Sequence, residues 1–437
     1  MKDRVIYHID CNGFYAVVEC LDRPELRDVP MAVAGDPKDR SGIILAKNEL
    51  ARKCGVKTAE TIYQARRKCP DLHLVPPRHK RYAEVSRLVK ALFGEYTDQV
   101  ESFGLDEAWL DVTGSLRYFQ SEPMELADRI RKRVREEIGV TVSIGVSFNK
   151  VFAKLGSDMK KPDATTLISR ENYRQLVWPL PADALLFVGR TATEQLKRHA
   201  IHSIGDIARS DPAFLRQLLG KGGDTLWRYA SGLDSTPVRR IGEEEPVKSI
   251  GNGMTFRRDL VGWDEIKSGV IVLTDEVASR LREAHLKCCV VQIVVKNPQL
   301  KIISRQMHLS TPTYLQKEIV DAAMTLLHAN WRGDAPARAI TVTAMELVDE
   351  NQQQEQLTLL DLAGALSGPE RGKLERVEAA MQHIRQKHGA RSIAMGFVEN
   401  EELGIYQFGA VDKQAPLPTA HEFSAADAKL GKESGKH

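Results

Sequence analysis

Three acids in this chain are placed where carboxylates do chemistry. Asp106 and Glu107 stand side by side in VESFGLDEAWLDVTGS, Val100 to Ser115, within a run of strand-forming residues. Adjacent residues on a strand point to opposite faces, so the pair is not a simple solvated charge cluster. Burying a carboxylate is costly unless it is paired or holds a metal, although acids at a strand end also serve as plain turn caps. The third acid is Asp10. RVIYHID is a short β-branched run ending in that residue, and the chain then breaks at Cys11-Asn12-Gly13 into the helix-patterned FYAVVECL, with Asn12 as the expected N-cap. A strand that delivers a carboxylate to a helix N-terminus sets it beside free backbone N–H groups, as in sites that hold a metal next to a phosphate.

The elements that must position these acids follow in order. SFGLDEAWLDV reads as mostly one long strand, with a further strand beyond Gly114. EPMELADRIRKRVREEIG repeats apolar residues at Leu126, Ile130, Val134 and Ile138 and stops at Gly139, the pattern of one amphipathic helix. TVSIGVSF alternates as a strand, KVFAKLGSDM reads as a helix, and TTLIS returns as a strand. This order predicts an antiparallel-rich α/β sheet with helices on one face, able to bring Asp10 and Asp106 together. Between Gly13 and Pro77 the texture changes, with Lys47, Arg52, Lys53 and Lys57 close together. Alone, such cations are a solvated helical face; beside two metal-binding acids they suit a triphosphate.

Composition sets the frame. With 437 residues, 42% of them hydrophobic and 28% charged, the chain suits two to four soluble domains. Its six cysteines (Cys11, Cys20, Cys54, Cys69, Cys288 and Cys289) form no CxxC pair, which argues against a zinc site or a disulfide framework and for a reducing cytoplasm. No leader pattern opens the chain, and no apolar run approaches the roughly 20 residues that span a bilayer, so the expectation is no export and no membrane. A net charge of +3 leaves nucleic-acid binding open, to be decided by where the cations fall.

DCNGFYAVVE, GLDEAWLDVTGS and SIGVSFNKVFAKLGSDMKKP resemble, in order and spacing, three signature segments of the Y-family DNA polymerases, most closely the DinB or DNA polymerase IV branch. The likeness runs from Val5 to about Val348. It implies template-directed, low-fidelity translesion synthesis without a proofreading exonuclease. In that reaction a primer 3′ hydroxyl attacks the α-phosphorus while pyrophosphate leaves, and negative charge spreads over phosphoryl oxygens. Two Mg²⁺ ions, with Mn²⁺ as a substitute, need hard oxygen ligands. By resemblance Asp10 and Asp106 bridge them, Glu107 holds the primer-end ion, and the Cys11 backbone carbonyl completes the nucleotide-bound one.

The same resemblance makes Tyr15 a steric gate against a ribose 2′ hydroxyl, with Phe14 packed nearby. The N–H groups of Asn12, Gly13, Phe14 and Tyr15 would cradle phosphates, and Arg52 and Lys161 would contact the triphosphate. Two departures stand out. Ala46 and Glu49 occupy positions where relatives usually have Thr and Tyr, and Gly104-Leu105 stands where Ser-Ile is common. A carboxylate at Glu49 would repel a triphosphate unless Lys47 offsets it or the side chain turns away.

The implied fold class is α+β multidomain: a right-hand polymerase with palm (1–12 and 78–168), small fingers (13–77), helical thumb (169–238), linker (239–247), little finger (248–350) and a C-terminal extension (351–437). In the thumb, LLFVGRTATEQLKRHAIHSIGDIA resembles a helix-hairpin-helix in which Gly189 and Arg190 meet DNA phosphate. Phe187 stands where the first glycine of the hairpin is usual, so Gly189 is expected to supply the turn unaided. STPVRRIGEEEP reads as a tether. A β-α-β-β-α-β order follows, with Lys248, Arg257, Arg258, Lys296, Lys301 and Arg305 as candidate phosphate contacts. Gln356-Leu357-Thr358-Leu359-Leu360 is similar to a sliding-clamp peptide, with clamp contacts at Gln356, Leu357, Leu359 and Leu360. A helix follows with an apolar stripe of Leu374, Val377, Met381 and Ile384, then a polar tail from about Pro416 expected to be disordered. The implied partners are primer-template DNA, deoxynucleoside triphosphates and a clamp, for a monomer in a bacterial cytoplasm. Two rivals are a noncatalytic DNA-binding scaffold, which would be expected to have lost the metal acids, and a palm-fold enzyme of another class, such as a nucleotide cyclase, which would not need the thumb and the basic little finger.

Overall fold

A computed structural model describes residues 3–36, 42–243, 245–350, 368–389, 392–393 and 403. They divide into two compact units, the first built from residues up to Val33 and from Ile44 to 243, the second from Ala34–Ile43 and the residues after 244. The clamp-like peptide and the polar tail lie outside the described residues.

The first unit carries β1 (Ile6–Cys11), β2 (Met31–Ala34), β3 (Ile44–Lys47), β4 (His73–Val75), β5 (Val100–Ser102), β6 (Glu107–Asp111), β7 (Val142–Ser147) and β8 (Thr165–Ile168). Five of them form one sheet in the order β5-β6-β1-β7-β8, antiparallel except for the β7–β8 pair. β1 is central and buried along its whole length, which is why IYHIDC is a near-continuous β-forming run. The insert forms a separate small sheet, β3-β2-β4.

Three local expectations give way here. SFGLDEAWLDV is not one strand: β5 and β6 pair as a hairpin, with Val100 opposite Leu110, because Gly104 interrupts the β-forming run. The segment directly after Gly114 is not a strand. The Asp111 carboxylate accepts from the Thr113 N–H (3.0 Å) and hydroxyl (2.5 Å), a side-chain turn that ends β6, and a helical turn, Leu116–Phe119, comes next. Nor are the helices confined to one face. Tyr7 and Ile9 of β1 pack into a core with Val89, Leu126 and Ile130, from the helices His79–Gly94 and Pro123–Arg133. Ile6 joins Ala153 of the helix Lys150–Met159 in a separate cluster on the opposite face. That helix sits so close to β7 that a Cβ on Gly145 would lie 1.9 Å from the Ala153 carbonyl oxygen, a clearance only glycine gives.

After β8 come short helices, Arg190–Arg198, Ile204–Arg209, Pro212–Leu219 and Lys221–Ala230, around Leu196, Ile204, Ile207, Leu215 and Leu226. In the hairpin before Arg190 the left-handed residue is Phe187 itself, at φ 69°, with its ring exposed, while Gly189 is extended at φ −83°, ψ 175°. The turn therefore does not rest on Gly189, because the backbone needs its positive φ two residues earlier.

The start of the expected tether is fastened down rather than free. Gln99 donates to the Val238 carbonyl (3.1 Å), the Ile241 N–H to the Asp98 carbonyl (2.9 Å), and the Arg239 N–H to Glu101 (3.0 Å). Val238 is buried with Ile6 and Trp109. Glu101, itself buried, needs the partners that this strap and Lys150 bring.

In the second unit β9 (Ser249–Leu260), β10 (Leu286–Lys296), β11 (Ile302–Thr313) and β12 (Ala337–Asp349) form an antiparallel sheet in the order β11-β10-β12-β9. The helices Trp263–Glu283 and Gln316–Asn330 complete the β-α-β-β-α-β order and share one core with it. The helix Gly368–His388 buries charge as well as part of its apolar stripe: Met381 and Glu378 are buried, whereas Val377 is 41% exposed. Glu378 pairs with Arg282 and accepts from the Gln316 N–H (2.9 Å), and Arg385 pairs with Asp275 at 2.8 Å. Arg282 and Asp275 on the receiving helix select the complementary charges, seven residues apart, in place of Val377.

Candidate active site

The register of the central strands assembles the acids. Asp10 at the end of β1 faces Glu107 of β6 on one side and Ser143 of β7 on the other. One residue on, the Cys11 N–H donates to the Asp106 carbonyl at 2.9 Å. Asp10, the Cys11 backbone, Asp106 and Glu107 therefore share one end of the sheet. The turn carrying Asp106 is anchored by the helix His79–Gly94, whose Ser86 hydroxyl donates to the Leu105 carbonyl and whose Lys90 ammonium donates to the Gly104 carbonyl. The Cys11 thiol is buried, and burial holds it well above the ordinary thiol range, consistent with a packing role for that side chain.

The two adjacent carboxylates do not behave alike. Burial, with repulsion from Asp10 and Glu107, pushes Asp106 up to about 6. Burial also raises Glu107, but His8 and Lys154 outweigh it and hold that carboxyl at about 2. Lys154 Nζ lies 2.5 Å from Glu107 and 3.4 Å from Asp10, and Lys161 Nζ lies 2.7 Å from Asp10 and 2.9 Å from Asp158. His8, buried one pleat back on β1, sets Nε2 3.1 Å from Glu107 and Nδ1 2.9 Å from the Ser157 hydroxyl. Lys154 and His8 were not singled out from sequence. Lys154 lies within the quoted KVFAKLGSDM segment, seven residues before Lys161; nothing in RVIYHID alone distinguishes His8 from a core residue.

Among the described residues no three His, Cys, Asp or Glu side chains stand ready as a closed metal cluster. The donor set nevertheless fits hard divalent cations: three carboxylates and a carbonyl at one sheet end, with Asp106 raised by burial and by the crowding of like charge. The ammonium groups of Lys154 and Lys161 supply the positive charge these acids require.

A cavity of about 840 Å³ opens beside Asp10, lined by Asn12, Gly13, Lys47, Glu49, Arg52 and Lys161 among others. Here Asn12 departs from expectation twice. The N-cap of the helix Phe14–Asp22 is Gly13, at φ 58°, because the Asn12 side chain is engaged elsewhere: it donates to Ser143 (3.0 Å) and accepts from the Asp163 N–H (2.9 Å). The Asn12 N–H is spent on the Thr141 carbonyl at 2.9 Å, so this member of the expected cradle is already engaged within the protein. Tyr15 is stacked on Tyr82 with ring centroids 4.2 Å apart, has Phe14 6.0 Å away, and meets His79 edge-on at 5.8 Å. Glu49 neither meets Lys47 nor turns away. It takes Arg52 in a two-point ion pair of 2.8 and 2.7 Å, while Lys47 donates to Thr58.

The candidate DNA cations are unequally placed. Arg190 extends into solvent and pairs with Glu194 at 2.8 Å. Lys248 is highly exposed, within 3.5 Å of Glu245. Arg258 is clamped to Glu265 at 2.7 Å, and Arg257 lies 3.8 Å from Asp36. Lys296 pairs across from Ile302 at the end of β10, Lys301 follows the Asn297 turn, and Arg305 bonds Asn330 at 2.9 Å.

The impB/mucB/samB family pattern matches residues 9–158, and the C-terminal domain of the same family matches 247–359. The chain is 43% identical over 395 residues to a DNA polymerase IV of Acetivibrio thermocellus, covering 90% of this chain and 97% of the relative. It is 34% identical over 403 residues to a DNA polymerase IV 1 of Bacillus subtilis, covering 92% and 94%. It belongs to the Y-family DNA polymerases. The fold agrees: a solved Y-family DNA polymerase chimera of Dbh and Dpo4 superposes with a TM-score of 0.70 at 24% identity, over 79% of this chain and 99% of that one. This Y-family polymerase is of the DinB branch, a DNA-directed DNA polymerase of translesion synthesis, and the noncatalytic scaffold is not favoured. Members of the family need divalent metal ions. Among the described residues no helix is long and apolar enough to cross a membrane.

Proposed function

We propose that this polymerase adds deoxynucleotides to a primer 3′ end on a DNA template, and that Asp10, Asp106 and Glu107 carry the reaction. The observation behind this reading is the meeting of those carboxylates at one sheet end. Two Mg²⁺ ions, or Mn²⁺ in their place, would be held by these side chains and the Cys11 carbonyl, and when bound supply the charge that activates the 3′ hydroxyl and neutralises leaving pyrophosphate. His8 and Lys154 orient Glu107. Tyr15, fixed against Tyr82, blocks a ribose 2′ hydroxyl. Arg52, Lys161 and the N–H groups of Gly13, Phe14 and Tyr15 bind phosphates, and the Asn12 side chain braces that turn.

In this reading residues 1–12 and 78–168 are the palm, 13–77 the fingers, 169–238 the thumb and 248–350 the little finger. Gly189, Arg190 and the exposed cations of the little finger meet DNA phosphates without reading bases, so affinity falls with salt. The peptide Gln356 to Leu360 engages a sliding clamp, and the enzyme acts as a monomer in a bacterial cytoplasm. The deciding experiment is extension of a labelled primer with Mg²⁺ and deoxynucleotides by the intact protein and by Asp106→Ala. Extension lost in the variant supports the site; extension retained there removes Asp106 from it.

A further inference from the structure

The cavity beside Asp10 holds one acid for which nucleotide transfer has no use. Glu49 lines it together with Lys47, Arg52 and Lys161. Its two carboxylate oxygens accept from Arg52 Nε at 2.8 Å and Nη2 at 2.7 Å. That planar two-point contact is the one a guanidinium offers to a phosphate group. The Nε–Nη2 edge of Arg52 is therefore held by an anion of the chain's own, and it cannot face Glu49 and a triphosphate at once. Lys47 does not offset this acid, since its ammonium donates to the Thr58 hydroxyl at 3.0 Å.

We propose that Glu49 is a built-in competitor of the incoming triphosphate for Arg52, and so sets how tightly this polymerase holds deoxynucleotides. The inference rests on the reading of Arg52 as a triphosphate contact. Both side chains are more than half exposed, 60% for Arg52 and 51% for Glu49, so water screens the pair and it opens readily to a polyanion. Glu49 thus tunes affinity and does not block the site. Releasing Arg52 is a cost met on nucleotide binding and carried unchanged into the transition state, so it raises KM and leaves kcat nearly alone. The usual Tyr at this position has no charge with which to hold the Arg.

The test is single-nucleotide incorporation on a primer-template with Mg²⁺, comparing the intact protein, Glu49→Gln, Arg52→Ala and the double variant. Glu49→Gln is expected to lower the deoxynucleotide KM about two- to fivefold, the modest range of an exposed ion pair, with kcat little changed. Arg52→Ala is expected to raise KM, and Glu49→Gln to have no further effect in that background. A KM unchanged or raised by Glu49→Gln, while Arg52→Ala still raises it, overturns the competitor role and leaves Arg52 as a triphosphate contact. A KM lowered equally with and without Arg52 overturns it also, since Glu49 would then act by charge alone. A KM unmoved by Arg52→Ala removes the reading of Arg52 and the inference with it.

Discussion

The Lys154 ammonium lies 2.5 Å from the Glu107 carboxylate and reaches Asp10 at 3.4 Å, bridging two strands that only register brings together. Where the acids crowd, this lysine is part of what lets them coexist without metal. Lys154→Met should therefore lower the stability of the metal-free protein by about 1–2 kcal/mol, the scale for a partly buried pair losing one charge. It should also lower the Mg²⁺ concentration at which stabilisation is half complete, since a competing cation is gone. Thermal unfolding against Mg²⁺ concentration checks both; a half-point that rises would mean that Lys154 assists the ion instead.

Asp106 is held up at about 6 by burial and by Asp10 and Glu107. A carboxyl raised above its unfolded value binds its proton more tightly when folded, so its ionisation costs stability. Without metal, stability should fall as pH rises from about 4 through 6 and level off above. Asp106→Asn should flatten that slope and make the metal-free protein about 1–2 kcal/mol more stable at pH 8 while abolishing primer extension. Urea unfolding across pH, in a chelator, is the measurement.

Glu101 is the opposite case. Burial raises its carboxyl, but Lys150, the Arg239 N–H and the Arg239 guanidinium together hold it below the ordinary range. A depressed carboxyl contributes stability above its unfolded value, lost as pH falls through the folded one. Glu101→Ala at neutral pH leaves Lys150 buried without its carboxylate and loosens the strap from 236 to 241; about 3 kcal/mol should be lost. Earlier proteolytic cleavage near Arg239 and Arg240 would report the loosening.

Phe187 adopts φ 69°, a region that costs a bulky side chain of order 1 kcal/mol or more. With the ring 68% exposed, little packing is lost on removal. Phe187→Gly should stabilise the protein by about 1 kcal/mol in equilibrium unfolding. Unchanged or reduced stability would mean that the contact with Tyr229, at 6.4 Å, matters more than the backbone.

Periodicity and punctuation made much of the molecule legible in sequence. The β-α-β-β-α-β order of residues 249–349, the helical run that continues from Pro123–Arg133 through Val134–Ile138 to its stop at Gly139, and the helix ending at Met159 were readable because each is specified by residues near one another in the chain. So were Asp10, Asp106 and Glu107, whose types and neighbours mark them. The features that escaped depend on partners distant in sequence. Asn12 looks like an N-cap until Ser143 and Asp163 claim its side chain. The segment after Ser235 reads as a tether until Asp98, Gln99 and Glu101 hold it, and Val377 reads as core until Arg282 and Asp275 select Glu378 and Arg385 instead.

Local pattern thus determined which acids and which secondary elements this polymerase has. Tertiary structure alone decided what the charges of the site face: Lys154 against Glu107, His8 behind it, Lys161 on Asp10. The reason is physical. Hydrophobic burial repeats with the period of a helix or strand and is written along the chain, whereas a charge is satisfied by whichever opposite group folding brings within about 3 Å, and that distance is set by register and packing.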